Sequence, residues 1–343
     1  MADDIVYKAD DRSILLPAYR RFLVDPLLPF IPARVHPNTI THLGHLANLT
    51  GTALLVGFFP RHGFLYVLAA ITLQFYMWCD NADGSHARRT KQTSVYGEFL
   101  DHGLDIVNVI YIGYLSSMAV GASPLQWVVI AVIIPGAGAT TYFEQTQTGV
   151  FRLGALNQVE SLSFLAVILV ASAAVGHDFW ERTSIFGIIS IRDAIVLWLC
   201  ITVIFGMLRA TVRVARLSKS TAPLLALFAL FALIVAGAWV HAVSPLAAVS
   251  LATAANLFFS TRMLTLRLHG ERPKVDWPLV AGALGLLTVL VLHRLAIDVL
   301  PPPVGAVVAT AGCVLYVGWA LLHTRDALQR LALIEAAAAK SGA

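Results

Sequence analysis

Charged residues are scarce in this chain. Of its 343 residues only 13% are Asp, Glu, Lys or Arg, whereas 58% are hydrophobic. A soluble domain of similar length carries about 25% charged residues, so the composition excludes an ordinary soluble enzyme. It is typical of a protein that crosses a membrane several times.

Cysteine is also rare, and its spacing excludes a cysteine-based metal or redox site. Cys79, Cys200 and Cys313 lie singly within or beside apolar runs, which favours roles in packing. An internal repeat of fixed period is absent as well. Because many transporters are built from repeated halves, this absence counts against a transporter.

Long apolar runs, in contrast, are abundant. A helix needs roughly 20 apolar residues to cross a bilayer, and about ten runs approach that length. They lie at about residues 39–59, 63–82, 97–120, 124–145, 160–176, 192–212, 221–241, 245–266, 277–297 and 302–323. We therefore expect an all-α polytopic integral membrane protein with about ten transmembrane helices.

The distribution of Lys and Arg predicts the orientation of these helices. If the N-terminus is inside, every basic residue except Arg61, Arg182, Arg192 and Arg294 falls on the cytoplasmic side, as the positive-inside rule requires. Both termini are then cytoplasmic. Basic clusters at the inner helix ends would face anionic lipid headgroups, which accounts for the net charge of +4 without a nucleic-acid partner.

The segment before the first apolar run mixes apolar residues, basic residues and prolines. Its sequence, SILLPAYRRFLVDPLLPFI, is unlike a cleavable signal peptide and predicts a short helix lying in the membrane interface. We expect four regions along the chain. They are a cytoplasmic or interfacial segment at 1–36, a catalytic core at 37–165, further transmembrane helices for packing, lipid access or dimerisation at 166–330, and a cytoplasmic tail at 331–343.

Four aspartates interrupt the junction between the second and third runs, in DNADGSHARRTKQTSVYGEFLDHGLD at residues 80–105. Asp80 and Asp83 are three residues apart and Asp101 and Asp105 four apart, so each pair shares one face of a helix. Converging carboxylates repel one another, and a divalent metal relieves that repulsion. Oxygen ligands alone favour Mg²⁺, Mn²⁺ or Ca²⁺ over zinc, so the sequence predicts such a site here.

The residues between the two pairs suit a phosphate substrate. Gly84 lets the backbone approach a ligand closely, and Arg88 offers a planar fork to phosphate oxygens. Ala87 leaves room beside that arginine, and Gly97 permits close packing of the next helix. Since paired metal ions can clamp a diphosphate, the stretch is typical of a phosphate-transfer site.

The same positions resemble the signature of the CDP-alcohol phosphotransferase family without a substitution. They are Asp80, Asp83, Gly84, Ala87, Arg88, Gly97, Asp101 and Asp105. The wider segments ADGSHARRT, GEFLDHGLD, HPNTITHLG at 36–44 and FEQTQTGVFRLGALNQVES at 143–161 are similar to the choline and ethanolamine phosphotransferase branch. That branch has ten spans and commonly forms dimers, and the resemblance covers about residues 1–165.

The resemblance implies roles for individual residues. The four aspartates would hold Mg²⁺, with Mn²⁺ possible as the cofactor, and Asn38 would lie near the nucleotide. His102 and Glu160 would assist deprotonation of the acceptor hydroxyl. Asp105 competes with them as the general base, since an alcohol becomes a good nucleophile only when a positioned base takes its proton.

The implied reaction is Mg²⁺-dependent transfer of choline phosphate or ethanolamine phosphate from soluble CDP-choline or CDP-ethanolamine to a lipid hydroxyl such as that of diacylglycerol. CMP is released, and the pathway is phospholipid biosynthesis. The expected partners are these substrates, membrane lipids and a second copy in a homodimer, with the active site at the cytoplasmic face.

Two alternatives stay open. An enzyme that uses CDP-diacylglycerol as donor and a small polar alcohol as acceptor would share the same motif. A cation transporter could use the aspartates as an ion pathway, although transporter sites usually lie near the midplane of the bilayer.

Overall fold

The fold is that of a computed structural model, which describes residues 8–58, 62–295 and 303–341. Arg61, residues 1–7 of the predicted N-terminal segment and the last two residues of the predicted tail lie outside the described residues. So do the outermost residues of the first, ninth and tenth predicted spans.

The described elements are almost all helical. In the first part of the chain they are β1 (Lys8–Asp11), α1 (Leu16–Tyr19), a π-helical turn (Arg20–Val24), a 3-10 turn (Leu28–Phe30), α2 (Pro37–Phe58), α3 (Phe64–Thr90), α4 (Val95–Val120), α5 (Pro124–Thr148), β2 (Val150–Leu153) and α6 (Gln158–Val175). They continue with α7 (His177–Arg182), β3 (Ser184–Ile185), β4 (Ile189–Ser190), α8 (Ile191–Arg216), α9 (Ala222–Trp239), α10 (Pro245–His269), α11 (Trp277–Arg294) and α12 (Pro303–Ser341). β1 pairs with β2, and β3 pairs antiparallel with β4.

The prediction of an all-α membrane protein is confirmed. Within the described residues, seven helices are long and apolar enough to cross a bilayer: Val95–Val120, Pro124–Thr148, Gln158–Val175, Ile191–Arg216, Ala222–Trp239, Trp277–Arg294 and Val304–Ala337. Each of the other three predicted spans also lies on a long helix, namely α2, α3 or α10. Polar side chains lower the hydropathy of these three helices, so the total of ten spans stays a prediction.

Local signals in the sequence set the ends of the helices that carry the aspartates. α3 ends where Lys91 adopts the left-handed conformation, with φ of 58°. α4 begins at a Ser94 cap, whose Oγ accepts a hydrogen bond from the amide of Gly97 at 2.9 Å. Gly121, with φ of 61°, closes the other end of α4. The polar residues after the apolar run of α3 therefore continue the helix instead of forming a loop.

Contacts among the helices divide the chain into two compact units. The first unit comprises Asp10–Ala122 and Leu153–Leu199. In it α3 packs against α2, α4 and α6, and α4 also packs against α2 and α6. All four predicted aspartate ligands belong to this unit, so its helices determine the geometry of the site.

The second unit comprises Ser123–Arg152 and the described residues from Cys200 onward, with Lys8 and Ala9. α10 packs there against α5, α9 and α12. α5 belongs to this unit although it falls within the predicted catalytic core at 37–165. The sequence boundaries of the four functional regions stay predictions.

The second unit contains ion pairs around one buried carboxylate. The carboxylate of Glu144 is 2% exposed and accepts hydrogen bonds from Nε of Arg213 at 2.7 Å and from its Nη2 at 2.6 Å. Nη1 of Arg152 lies 3.3 Å from the same carboxylate. This two-point geometry suits a guanidinium and a carboxylate and offsets the cost of burying the negative charge.

The N-terminal segment of the first unit has one anchored side and one exposed apolar side. Val24 is fully buried against Ile40, Cys79 and Ala82. Phe22 and Phe30, in contrast, are 68% and 80% exposed. Exposed aromatic side chains next to basic residues are typical of a segment lying in the membrane interface, and the interfacial position of this segment stays a prediction.

Candidate metal and phosphate site

Three of the four aspartates converge. Asp80, Asp101 and Asp105 each offer a carboxylate oxygen, and these oxygens all lie within 4.8 Å of one another. The chain reverses direction between Thr90 and Val95. Since a helix rises about 1.5 Å per residue, Asp80 lies roughly 15 Å before that reversal and the pair on α4 roughly 9–15 Å after it. The carboxylates therefore reach the same level.

The donor set fits a divalent cation. Oδ1 of Asp101 is buried and has no hydrogen-bond partner among the described residues, and a buried polar atom without a partner is costly. A cation would satisfy this oxygen and relieve the repulsion among the three carboxylates. Because all the donors are oxygens, the site suits Mg²⁺, Mn²⁺ or Ca²⁺.

A chain of hydrogen bonds orients Asp105. Nε2 of Gln158 donates to the hydroxyl of Tyr76 at 3.0 Å, and that hydroxyl donates to Oδ1 of Asp105 at 2.7 Å. Nε2 of His45 lies 3.8 Å from the same oxygen. The spacing of the motif alone does not predict these partners. The position of Tyr76 four residues before Asp80 on α3, and hence on the same helical face, is the signal that could have identified it.

Asp83 is placed differently from the other three aspartates. It is buried, and its Oδ2 accepts a hydrogen bond from the hydroxyl of Thr41 on α2 at 2.5 Å. Its Oδ1 accepts from the amide of Gly84 at 2.5 Å. Asp83 lies outside the group of three converging carboxylates found among the described residues, and its role as a fourth ligand stays a prediction.

The residues predicted to contact phosphate border this cluster along α3. Arg88 is exposed, and its Nη2 donates to Oγ of Ser85 at 3.2 Å. A Cβ at Gly84 would lie 3.5 Å from Nη1 of Arg88, in ordinary van der Waals contact, so Gly84 adjoins the guanidinium. Ala87, next to it in the chain, is buried. The guanidinium of Arg88 thus lies at the surface of the helix, where a phosphate can reach it.

Asn38 and Gly97 are neighbours at the ends of α2 and α4. A Cβ at Gly97 would lie 3.3 Å from Oδ1 of Asn38 and 3.1 Å from Oγ of Ser94. The absence of a side chain therefore permits close approach of the two helix ends. The proximity brings together two residues that the family resemblance assigns to the substrate side, and their contact with substrate stays a prediction.

The predicted bases occupy different surroundings. His102 is buried on α4, immediately after Asp101.

Glu160 lies in the first turn of α6, where its Oε2 accepts a hydrogen bond from the amide of Asn157 at 3.1 Å. Oε1 of Glu160 accepts from the hydroxyl of Ser13 at 2.6 Å and from the amide of Leu15 at 2.8 Å. Glu160 thus fastens the N-terminal segment to α6, a contact that the sequence pattern does not predict.

The N-terminal segment also borders the aspartate cluster. Burial, together with the negative charge of Asp80, raises the pKa of Tyr19 to about 12. This phenol therefore stays protonated at neutral pH. Tyr19 also packs against the buried cluster that includes Cys79 and Ala82, on either side of Asp80 in α3, so the segment that precedes α2 lies next to the site.

Comparison with known proteins agrees with this geometry. Residues 34–175 match the model of the CDP-alcohol phosphatidyltransferase family. This part of the chain is therefore similar to the transferase domain of that family. The transferase domain contains every residue predicted for the site, from Asn38 to Glu160, and the predicted family resemblance is confirmed.

Several relatives that match this chain carry the same name. Cholinephosphotransferase 1 of Danio rerio is 30% identical over 197 residues, which are 53% of this chain and 50% of the relative. The protein of the same name from Xenopus laevis is 30% identical over 188 residues, 51% of this chain and 45% of the relative. The human one is 29% identical over 184 residues, 52% of this chain and 45% of the relative. The chain spans about half the length of the relatives that it matches.

The family domain and the apolar helices together indicate how the chain is related to the membrane. The transferase domain contains three of the helices that are able to cross a bilayer, and further such helices follow it. The chain is therefore an integral membrane protein that crosses the bilayer more than once.

Proposed function

We propose that this chain transfers choline phosphate or ethanolamine phosphate from CDP-choline or CDP-ethanolamine to the hydroxyl of diacylglycerol and releases CMP. The observation that carries the proposal is the convergence of Asp80, Asp101 and Asp105 within 4.8 Å, inside a domain of the CDP-alcohol phosphatidyltransferase family. The head group is suggested by relatives named cholinephosphotransferase.

The acidic cluster and the residues beside it bind the diphosphate in this proposal. Mg²⁺, held by the three converging aspartates and by Asp83, would neutralise the charge of the diphosphate and of the departing CMP. Arg88 donates from its fork to phosphate oxygens. Gly84 and Gly97 keep the adjacent backbone free of side chains, and Asn38 lies towards the nucleotide.

The chain also supplies the base. The lipid hydroxyl enters from the bilayer, and its oxygen forms a bond to the phosphorus that carries the choline or ethanolamine. The bond from that phosphorus to the CMP oxygen breaks, and the hydroxyl proton passes to His102. Glu160 would assist this step, and Asp105 is the competing base. His102 directly follows the predicted metal ligand Asp101 on α4, which supports it as the first choice.

The orientation of the chain in the membrane and its assembly into a homodimer are also proposed. Both termini and the active site lie at the cytoplasmic face, where soluble CDP-alcohols are available; the positive-inside distribution of Lys and Arg supports this orientation. By resemblance to its branch, the chain forms a homodimer.

The test is a substrate panel on the purified full chain in lipid nanodiscs. One arm supplies CDP-choline or CDP-ethanolamine with diacylglycerol, and the other supplies CDP-diacylglycerol with glycerol 3-phosphate or inositol. Release of CMP and the mass of the lipid product are measured with Mg²⁺ and with a chelator. We expect a phosphatidylcholine or phosphatidylethanolamine product in the first arm and none in the second.

Two other results would overturn the proposal. Product in the second arm alone would assign the chain to the branch that uses CDP-diacylglycerol. Flux of ions across liposomes without release of CMP would indicate a transporter. The variant Asp101→Asn serves as the negative control in every arm.

A further inference from the structure

A second arginine lies beside the phosphate side of the site, on the N-terminal segment. Nη2 of Arg20 lies 3.4 Å from Oγ of Ser85 and donates to it. Nη2 of Arg88 donates to the same oxygen at 3.2 Å. Two guanidinium groups, one from the segment and one from α3, therefore meet at one hydroxyl.

The side chain of Arg20 has an unused donor. Its Nε is buried and has no hydrogen-bond partner among the described residues. A buried donor without an acceptor costs free energy, so this arrangement needs a reason. The Nε and Nη groups along one edge of a guanidinium form a planar fork that matches two oxygens of a phosphate. An anion at this edge would satisfy the unused donor.

The segment that carries Arg20 is fixed at both ends. On one side, Ser13 and Leu15 donate hydrogen bonds to Glu160. On the other side, Nε1 of Trp78 donates to the carbonyl of Leu23 at 2.9 Å, and Val24 is fully buried. Because Arg20 lies between these anchor points, its guanidinium is positioned by the fold.

We infer that Arg20 binds the diphosphate of the CDP-alcohol together with Arg88, the two side chains meeting at Ser85. This inference rests on the proposed function. Each phosphoryl group of a CDP-alcohol carries a negative charge, so two guanidinium groups match the two charges. The N-terminal segment is thereby a part of the substrate site, and its attachment to α6 through Glu160 positions Arg20 for that role.

Arg21 provides a matched control on the same segment. It carries the same charge one residue further on, it is exposed, and its guanidinium carbon lies 5.5 Å from the centre of the Phe22 ring. The variants Arg20→Ala, Arg20→Lys and Arg21→Ala are purified as full chains in nanodiscs. Binding of CDP-choline and of CDP-ethanolamine with Mg²⁺ is measured by titration calorimetry, and thermal unfolding is recorded for each variant.

Arg20→Ala is expected to raise the Kd for the CDP-alcohol about tenfold, which corresponds to about 1.4 kcal/mol. Arg20→Lys should recover part of the loss, since lysine keeps the charge but lacks the fork. Arg21→Ala should bind as the wild-type protein does. In turnover, Arg20→Ala should raise the KM for the CDP-alcohol with a similar factor and leave the KM for diacylglycerol unchanged.

Two results would overturn the inference. The first is equal binding by Arg20→Ala and Arg21→Ala. The second is a lower unfolding temperature for Arg20→Ala combined with an unchanged Kd for Arg20→Lys. That combination would show that the side chain of Arg20 supports the fold and does not bind the substrate. Failure of the proposed function is visible separately. A wild-type chain that binds CDP-choline but forms no lipid product would contradict the reaction, while the comparison of Kd values would still decide the role of Arg20.

Discussion

The hydroxyl of Tyr76 lies 2.7 Å from Oδ1 of Asp105 and donates a hydrogen bond to it. Tyr76 is 1% exposed, and its oxygen in turn accepts from Gln158. The two contacts link α3, α4 and α6 through one side chain. Since residues that hydrogen-bond a metal ligand fix its orientation, Tyr76 supports the carboxylate cluster without belonging to it.

Replacing Tyr76 by Phe tests this relationship. The variant keeps the ring and removes only the hydroxyl, so Asp105 loses its donor. We expect the Mg²⁺ concentration for half-maximal release of CMP to rise about tenfold or more, as is usual when a partner of a metal ligand is lost. The measurement is a titration of activity with Mg²⁺.

Tyr66→Phe is the matched control. Tyr66 is also buried on α3, and its hydroxyl lies 2.9 Å from Nε2 of His177, towards the other end of the helix. Its loss should lower the free energy of unfolding by about 1 kcal/mol and leave the Mg²⁺ requirement unchanged. Equal Mg²⁺ requirements in the two variants would show that Tyr76 contributes only to stability.

Asp101→Asn is predicted to have opposite effects on activity and on metal-free stability. Activity should fall at least about 100-fold, because a metal ligand is removed and its loss exceeds that of a supporting residue. In the presence of a chelator, however, the variant should be more stable than the wild-type protein by about 1 kcal/mol, or roughly 2 °C in the unfolding temperature. The reason is that one of three mutually repelling carboxylates is gone.

Thermal unfolding with and without Mg²⁺ checks the prediction for Asp101. The wild-type protein should gain stability when Mg²⁺ is added, and the variant should gain much less. Glu98→Gln is the control, since Glu98 lies on the same helix but outside the converging group. An identical gain in stability for Asp101→Asn and the wild-type protein would contradict a metal site at this cluster.

The sequence was sufficient to predict the parts of the structure that depend on local pattern. The apolar runs mark the helices because burial in lipid demands both length and hydrophobicity. The spacing of the aspartates places Asp101 and Asp105 on one helical face, and a short connection brings them to the level of Asp80. Hydropathy could not predict that α3 continues to Thr90, beyond the apolar run that ends near residue 82. Hydropathy indicates where contact with lipid ends. The helix itself continues further and ends only where Lys91 adopts the left-handed conformation.

Contacts between residues distant in the sequence could not be predicted. Thr41 meets Asp83 only because α2 packs against α3. The position of Arg20 depends on two anchor points that are themselves tertiary contacts. For Glu160, the family resemblance indicated a base, whereas the structure shows hydrogen bonds to a segment about 145 residues earlier in the chain. Such pairings follow from packing, which no spacing in the sequence specifies.

Glu160→Ala is predicted to release the N-terminal segment. The variant removes the acceptor for Ser13 and Leu15, so the segment should open more often. Limited digestion with trypsin, which cleaves after Arg12, Arg20 and Arg21, should then proceed at least several-fold faster than in the wild-type protein. The Kd for the CDP-alcohol should rise as well, since Arg20 would no longer be held in place.

Ser13→Ala separates this fastening role of Glu160 from a role as base. It removes one of the hydrogen bonds to Oε1 but leaves the carboxylate, so it should give an intermediate rate of digestion and nearly normal kcat. If Glu160→Ala loses activity while trypsin cleaves it at the wild-type rate, Glu160 acts in the chemistry and the fastening role is wrong.

The ion pair between Glu144 and Arg213 provides a prediction for the second unit. Glu144→Ala should destabilise the protein by about 1–2 kcal/mol, because it removes the charged hydrogen bonds to Arg213, whose side chain is 41% exposed and can still be hydrated. The double variant Glu144→Leu with Arg213→Met should recover most of that loss, since apolar side chains of similar size often replace a buried pair at little cost. Unfolding of the single and double variants in nanodiscs measures the two effects. A double variant as unstable as Glu144→Ala would show that the charges themselves are required for the fold of this unit.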